Sequence, residues 1–148
     1  MRSLHWPVGF VVLLLFGCGG GGDRAPAASA GADSVALALD QMTPEMFDTI
    51  HWASDSTAVA RGSVVWIYSC RRCHGDDGLG DGGFVQGGVP VEPPSLRAPD
   101  WPHANDREAI RRLTFTGTGE GMPHWGLVGL KPRDVDAVAI YIQQVIRQ

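Results

Sequence analysis

Residues 70–74 read Cys70-Arg71-Arg72-Cys73-His74, two thiols with two arginines between them and an imidazole directly after. The residues before them, from Ser56 to Ser69, carry apolar side chains at helical spacing, so the pair stands at the end of a helix. That position argues against a redox dithiol, which keeps its first Cys at a helix N-terminus where the dipole lowers the thiol pKa. A structural zinc site needs four ligands, and no second Cys pair exists: the remaining cysteine, Cys18, lies far upstream. A disulfide between residues this close would close a strained loop and leave His74 without a role.

The reading that uses all three residues is covalent haem attachment, whose pattern is C-x-x-C-H. Thiols at this spacing reach the two vinyl groups on one edge of a porphyrin, and the next residue projects under the ring to bind iron. On these residues the chain resembles the class I cytochrome c family, and the likeness extends over roughly residues 56–148. The resemblance implies an all-α fold of three main helices and long loops around one covalently bound haem c, attached at Cys70 and Cys73 and ligated by His74.

In that family a Met from a loop near the C-terminus binds the other haem face. Met1 lies in the leader and Met42 and Met46 upstream of the domain, which leaves Met122 in Thr118-Gly119-Glu120-Gly121-Met122-Pro123-His124-Trp125, similar to the family's Gly-Met-Pro loop. His124 is the competing ligand, while His103 is assigned to a surface loop and His51 to packing of the upstream segment. Glu92-Pro93-Pro94-Ser95-Leu96 resembles the family segment whose proline carbonyl orients the ligating His, with Pro93 and Pro94 both open as the acceptor. Arg97, Trp101 and Trp125 are candidates for the haem environment, with plain packing the equal reading for the two Trp.

The flanking pattern agrees. A helix capped by Asp55 or Ser56 carries Val59, Gly62, Val65 and Trp66 on one face. A C-terminal helix from about Pro132 to Ile146 carries Val135, Val138, Ala139, Ile142, Val145 and Ile146. Gly62 in mid-helix costs about 1 kcal/mol relative to Ala; in the family the matching Gly lets the two helices cross closely, with aromatics matched here by Trp66 and Tyr141. A middle helix from Asn105 or Asp106 to about Phe115 turns Ile110 and Leu113 inward and Arg107, Arg111 and Arg112 to solvent. No alternating strand segment stands out. Gly78-Leu79-Gly80-Asp81-Gly82-Gly83 matches a dinucleotide fingerprint in letters only, since no strand precedes it and no helix follows.

The chain opens with a signal-like apolar run, Val8 to Phe16, too short to span a bilayer. Leu15-Phe16-Gly17-Cys18 resembles the bacterial lipobox, which makes Cys18 the expected lipidation site. Three parts follow: a signal peptide over residues 1–17, a lipidated Cys18 with a flexible tether to about Ser34 and a short upstream segment over 18–52, and a cytochrome domain over 53–148. Thr43-Pro44-Glu45 marks a helix start, and Met46, Phe47, Ile50 and Trp52 offer apolar surface to the domain.

Composition sets the remaining bounds. Twenty Gly and ten Pro beside a 44% apolar fraction describe short helices joined by tightly turning loops. A net charge of −4, with eleven Arg and the single Lys131 dispersed, excludes a nucleic-acid surface. The expectation is an exported, non-enzymatic electron carrier, lipid-anchored on the periplasmic side of a bacterial membrane, exchanging electrons with redox proteins. Lacking a lysine ring, it should not dock as strongly basic cytochromes c do, and a mixed or less acidic partner surface is expected. The alternatives are a fixed subunit of an oxidase or dehydrogenase complex and, from another class, a haem peroxidase or gas sensor if Met122 is not a ligand.

Overall fold

The computed structural model describes residues 27–119 and 121–148. The expected signal peptide, Cys18 and the glycine run after it therefore lie outside the described residues. The first element, α1 (Ala27–Gln41), is a helix across a stretch whose lack of bulk suggests a tether to Ser34. Alanine has the highest helix propensity, and α1 finds its anchorage through a small side chain, the wholly buried Ala38, rather than through a large apolar stripe.

Pro44 then opens a single 3₁₀ turn, Pro44–Phe47, as its fixed φ favours. Phe47 is buried against Phe115 and Val135, with Met42, Met46 and Ile50 around it, so this segment is part of the folded body. His51, expected to pack here, is exposed.

The next helix is capped by Ser54, one residue before the expected caps, whose Oγ accepts from the Thr57 amide at 3.2 Å. It runs as α2 (Asp55–Val65), widens into a π-type turn over Trp66–Cys70 and tightens again as α3 (Arg71–His74), stopping at Gly75 with φ +80°. The Cys pair is thus at the end of a helical path, as the periodicity implies. Two residues of strand on either side of a Gly87–Gly88 turn follow, β1 (Val85–Gln86) and β2 (Val89–Pro90), pairing antiparallel with Val85 opposite Pro90. Both turn residues have positive φ, +59° and +86°, which glycine alone adopts freely. The fold is mostly helical with this small exposed hairpin, a strand pair the sequence reading leaves out.

Asp106 caps α4 (Arg107–Thr116) by accepting from the Ala109 amide at 2.9 Å. The short α5 (Trp125–Val128) precedes α6 (Pro132–Tyr141), which widens at its end over Ile142–Ile146. The stripe Val135, Val138, Ala139, Ile142 and Ile146 is buried as its period demands, while Val145 is 41% exposed. Helix α6 packs on both α2 and α4.

At the α2/α6 crossing, a Cβ on Gly62 would press on the Ala137 carbonyl and come within 2.6 Å of the Tyr141 Cβ. The mid-helix glycine is therefore there for close approach, and Trp66 and Tyr141 meet beside it with ring centroids 6.1 Å apart. Above the crossing, Asp136 is 2% exposed and accepts from Trp52 Nε1 at 2.6 Å and from the Arg111 guanidinium, with Nε at 2.8 Å. Arg111 thus turns inward rather than to solvent, because a buried carboxylate on α6 requires a donor. The bond from Trp52 ties the upstream segment to the same point.

Candidate functional site

Cys70, Cys73 and His74 fall on one turn because the helical path from Ser54 continues unbroken to Gly75. Cys70 is buried among Val65, Trp66, Leu96, Trp101 and Ile110. Cys73 and His74 are half-buried, and both thiols are unbridged. The loop beyond folds back on the turn: the amides of Gly80 and Gly82 donate to the His74 and Cys73 carbonyls at 2.9 and 3.2 Å. The Arg72 guanidinium carbon sits over the Phe84 ring, 3.9 Å from its centroid, and Arg71 pairs with Asp76 at the surface.

The electrostatics of the turn are opposite to those of a redox dithiol. Burial, with Cys73 adding to it, pushes the Cys70 thiol up to about 12. Burial also raises Cys73 against the opposing pull of Arg72. Neither sulfur is a ready thiolate near neutral pH. Burial lowers the pKa of His74, so its imidazole is held neutral, the form that ligates metals. His74 Nδ1 is buried with no hydrogen-bond partner, and so is Nε1 of Trp66, whose ring centroid is 5.9 Å from that of His74. The expected bond from His74 to a Pro93 or Pro94 carbonyl is therefore not formed. The Pro93 carbonyl instead abuts Gly80, the residue whose amide holds the His74 carbonyl.

Met122 stands on a separate segment, between α4 and α5. The Thr118 amide donates to the Met122 carbonyl at 3.0 Å and the Met122 amide donates to Thr118 Oγ1 at 3.2 Å, closing the loop on itself. Gly117, with φ +67°, allows that closure, since a Cβ there would strike the Met122 carbonyl. Trp125 is half-buried as the first residue of α5. Trp101 is a core residue, with Arg147 over its ring at 5.4 Å and His103 edge-on at 5.5 Å. Arg97 is drawn to the end of the C-terminal helix, donating to the Gln148 carbonyl at 2.6 Å. Sequence reasoning missed Arg147, which reaches back to the Leu96 and Ala98 carbonyls and fixes the loop that follows Pro93 and Pro94. A lone Arg in a terminal helix carries no local signal of such a bond.

Residues 57–142, more than half of the chain, match the family described as cytochrome c oxidase, cbb3-type, subunit III. The chain belongs to this family. The cbb3 subunit III match takes in the α2/α6 crossing, the Cys70–His74 turn and the Met122 loop. The chain is 26% identical over 107 residues to the cbb3-type cytochrome c oxidase subunit CcoP of Azospirillum sp. strain B510, covering 72% of this chain and 35% of that protein. It is 31% identical over 90 residues to CcoP of Rubrivivax gelatinosus, covering 61% and 27%. It is 26% identical over 88 residues to the subunit FixP of Azorhizobium caulinodans, covering 60% and 27%. The chain thus spans between about a quarter and a third of the length of these curated relatives. No solved structure matches it.

As a cbb3 subunit III relative, the chain is a c-type cytochrome, a family of electron-transport proteins with covalently bound haem c. The donors present fit such a group: two unbridged thiols on one turn and, beside them, a neutral imidazole whose buried Nδ1 has no hydrogen-bond partner. Among the described residues no three His, Cys, Asp or Glu side chains gather as an alternative metal site, and no helix is long and apolar enough to cross a membrane.

Proposed function

We propose that this chain is the electron-transfer cytochrome unit of a membrane-bound oxidase assembly, with one haem c held by thioether bonds from Cys70 and Cys73. The observation that carries this is the Cys70–His74 turn, in which an unbridged buried thiol and an unbridged half-buried thiol stand on one helical turn directly before a half-buried imidazole. In this reading His74 and Met122 would be the protein's donors to the iron. When bound, the haem would supply a single-electron ferrous/ferric couple, and with both donors engaged it would leave no vacant site for a substrate. The chain's own contribution is to grip and to shield. Cys70 and Cys73 fix the group to the helix end, His74 offers its lone pair, and the closed Thr118–Met122 loop restrains a weak thioether donor. Trp101, Trp125 and Arg97 belong to its surroundings, the last as a brace between the loop and the C-terminal helix.

The relatives favour a fixed oxidase subunit over the mobile shuttle that the sequence first suggests, since those matched are named as oxidase subunits. Export and a lipid on Cys18 complete the proposal by placing the domain on the periplasmic side of a membrane. Two measurements test it. In detergent extracts of native membranes the chain should copurify with oxidase subunits; recovery as a free protein contradicts the fixed-subunit reading. The ferric protein should show a far-red sulfur-to-iron band that Met122→Ala abolishes. A high-spin spectrum and ready carbon monoxide binding would instead favour a peroxidase or sensor.

A further inference from the structure

Helix α1 lies outside the region that matches the family, and it does not pack at random. Its Gly31 rests directly on Gly119, one residue past Thr118: a Cβ on Gly31 would stand 2.6 Å from the Gly119 carbonyl oxygen and 3.3 Å from its carbon. Those are backbone atoms and cannot swing away. Further along, Ala32, Val35, Ala36 and Leu39 form one apolar face by helical spacing, and they border Thr118 and Gly119 across a groove of about 500 Å³. At its other end the wholly buried Ala38 anchors α1, which packs on α4.

Thr118 is the residue that closes the ligand loop, through bonds to both the amide and the carbonyl of Met122. From these contacts we infer that α1 is a strap that seats the Met122 loop, with Gly31 as the positioning residue at the point of contact. This deepens the proposed function and rests on Met122 ligation. The physical reason is that loops which hold a weak ligand have low local stability and open readily. A helix lying on the loop backbone removes part of that freedom. Lifting α1 frees Gly119, then Thr118, and the thioether loses its restraint. The helix thereby links the N-terminal segment of the chain to the ligand state of the iron.

The full-length, haem-bearing protein tests this through Gly31→Val and, as a second variant, Val35→Asp, which puts a charge into the groove. Both should keep the covalent pigment and the far-UV spectrum of the domain. Both should weaken the far-red sulfur-to-iron band, raise the affinity for added imidazole by about tenfold, or about 1.4 kcal/mol, and speed amide exchange at Thr118 and Met122. Gly31→Ala should do the same more weakly, although Ala is the better helix former. Asp33→Ala, an exposed change on the same helix, should leave all three readouts alone. A band present in the unmodified protein and unaltered, with unaltered imidazole affinity, in both variants overturns the strap. An unmodified protein with no far-red band overturns Met122 ligation and the strap together.

Discussion

Asp136 is the residue whose loss should cost this fold most for its size. Its carboxylate is 2% exposed and serves three elements at once: its own α6, Arg111 of α4 and Trp52 of the upstream segment. Asp136→Leu leaves the Arg111 cation, whose side chain is 22% exposed, without its counter-charge. Breaking a buried ion pair from one side costs about 3–5 kcal/mol; the residual exposure lets the guanidinium regain some water, which favours the lower end, ~3 kcal/mol. Trp52 Nε1 loses its acceptor as well, a further ~1 kcal/mol. The sum, ~4 kcal/mol, should lower the urea midpoint of the haem-bearing protein by about 2 M for a slope of about 2 kcal/mol/M. Asp136→Asn, which keeps an acceptor for Trp52 but not the charge, should lose about half as much. Arg111→Met combined with Asp136→Leu should recover most of the loss, since apolar residues of similar volume replace a buried pair at little cost. A single Asp136→Leu variant within ~0.5 kcal/mol of the parent, well under the cost of an unpaired buried charge, would refute the reasoning; so would a double variant no better than the single.

Other expectations follow from the same contacts. Gly62→Val should destabilise by ~2–3 kcal/mol, because the helices must part to admit a side chain, and Gly62→Ala should not be rescued by its gain in helix propensity; urea titration reads both. Arg147→Met should cost ~1–2 kcal/mol through the lost carbonyl bonds and should speed exchange at the Leu96 amide, which is bonded to the Gly78 carbonyl at 2.8 Å. In chain produced without haem, Cys70 should alkylate far more slowly than a free cysteine near pH ~8, since the thiolate is the nucleophile. Its rate should climb only as pH rises toward its pKa of about 12, with half-exposed Cys73 reacting first.

Much of the scaffold was legible because its determinants are local. Helical period places the starts of α2, α4 and α6 within a residue or two, and their ends once the widened turns after α2 and α6 are counted; the close crossing at Gly62 comes from the family resemblance. What escaped were features whose cause lies elsewhere in the chain. The first half of helix α1 carries the composition of a tether, and its seat on Gly119 is made through Gly31, which has no side chain to signal it, so only the neighbouring backbone reveals the fit. Arg111 carries the pattern of a solvated face, and its partner is a single carboxylate within the apolar run of α6 that helical period does not single out. The β hairpin had a local signal, the Gly87–Gly88 pair between two valines, but its strands are too short to show alternation. At the site, the Cys70–His74 turn was legible from spacing alone. The absence of a proline carbonyl at His74 Nδ1 is not legible there, because it depends on where the Pro93 carbonyl comes to rest, which is against Gly80.

The most direct test is the intact mass of the chain isolated from native membranes, with acidified acetone applied to the same sample. The account predicts a protein heavier than its polypeptide by one haem, beyond any lipid, with the red colour remaining in the precipitate and lost from it only when both Cys70 and Cys73 are replaced. A mass without haem, or pigment released into the acetone, would contradict it.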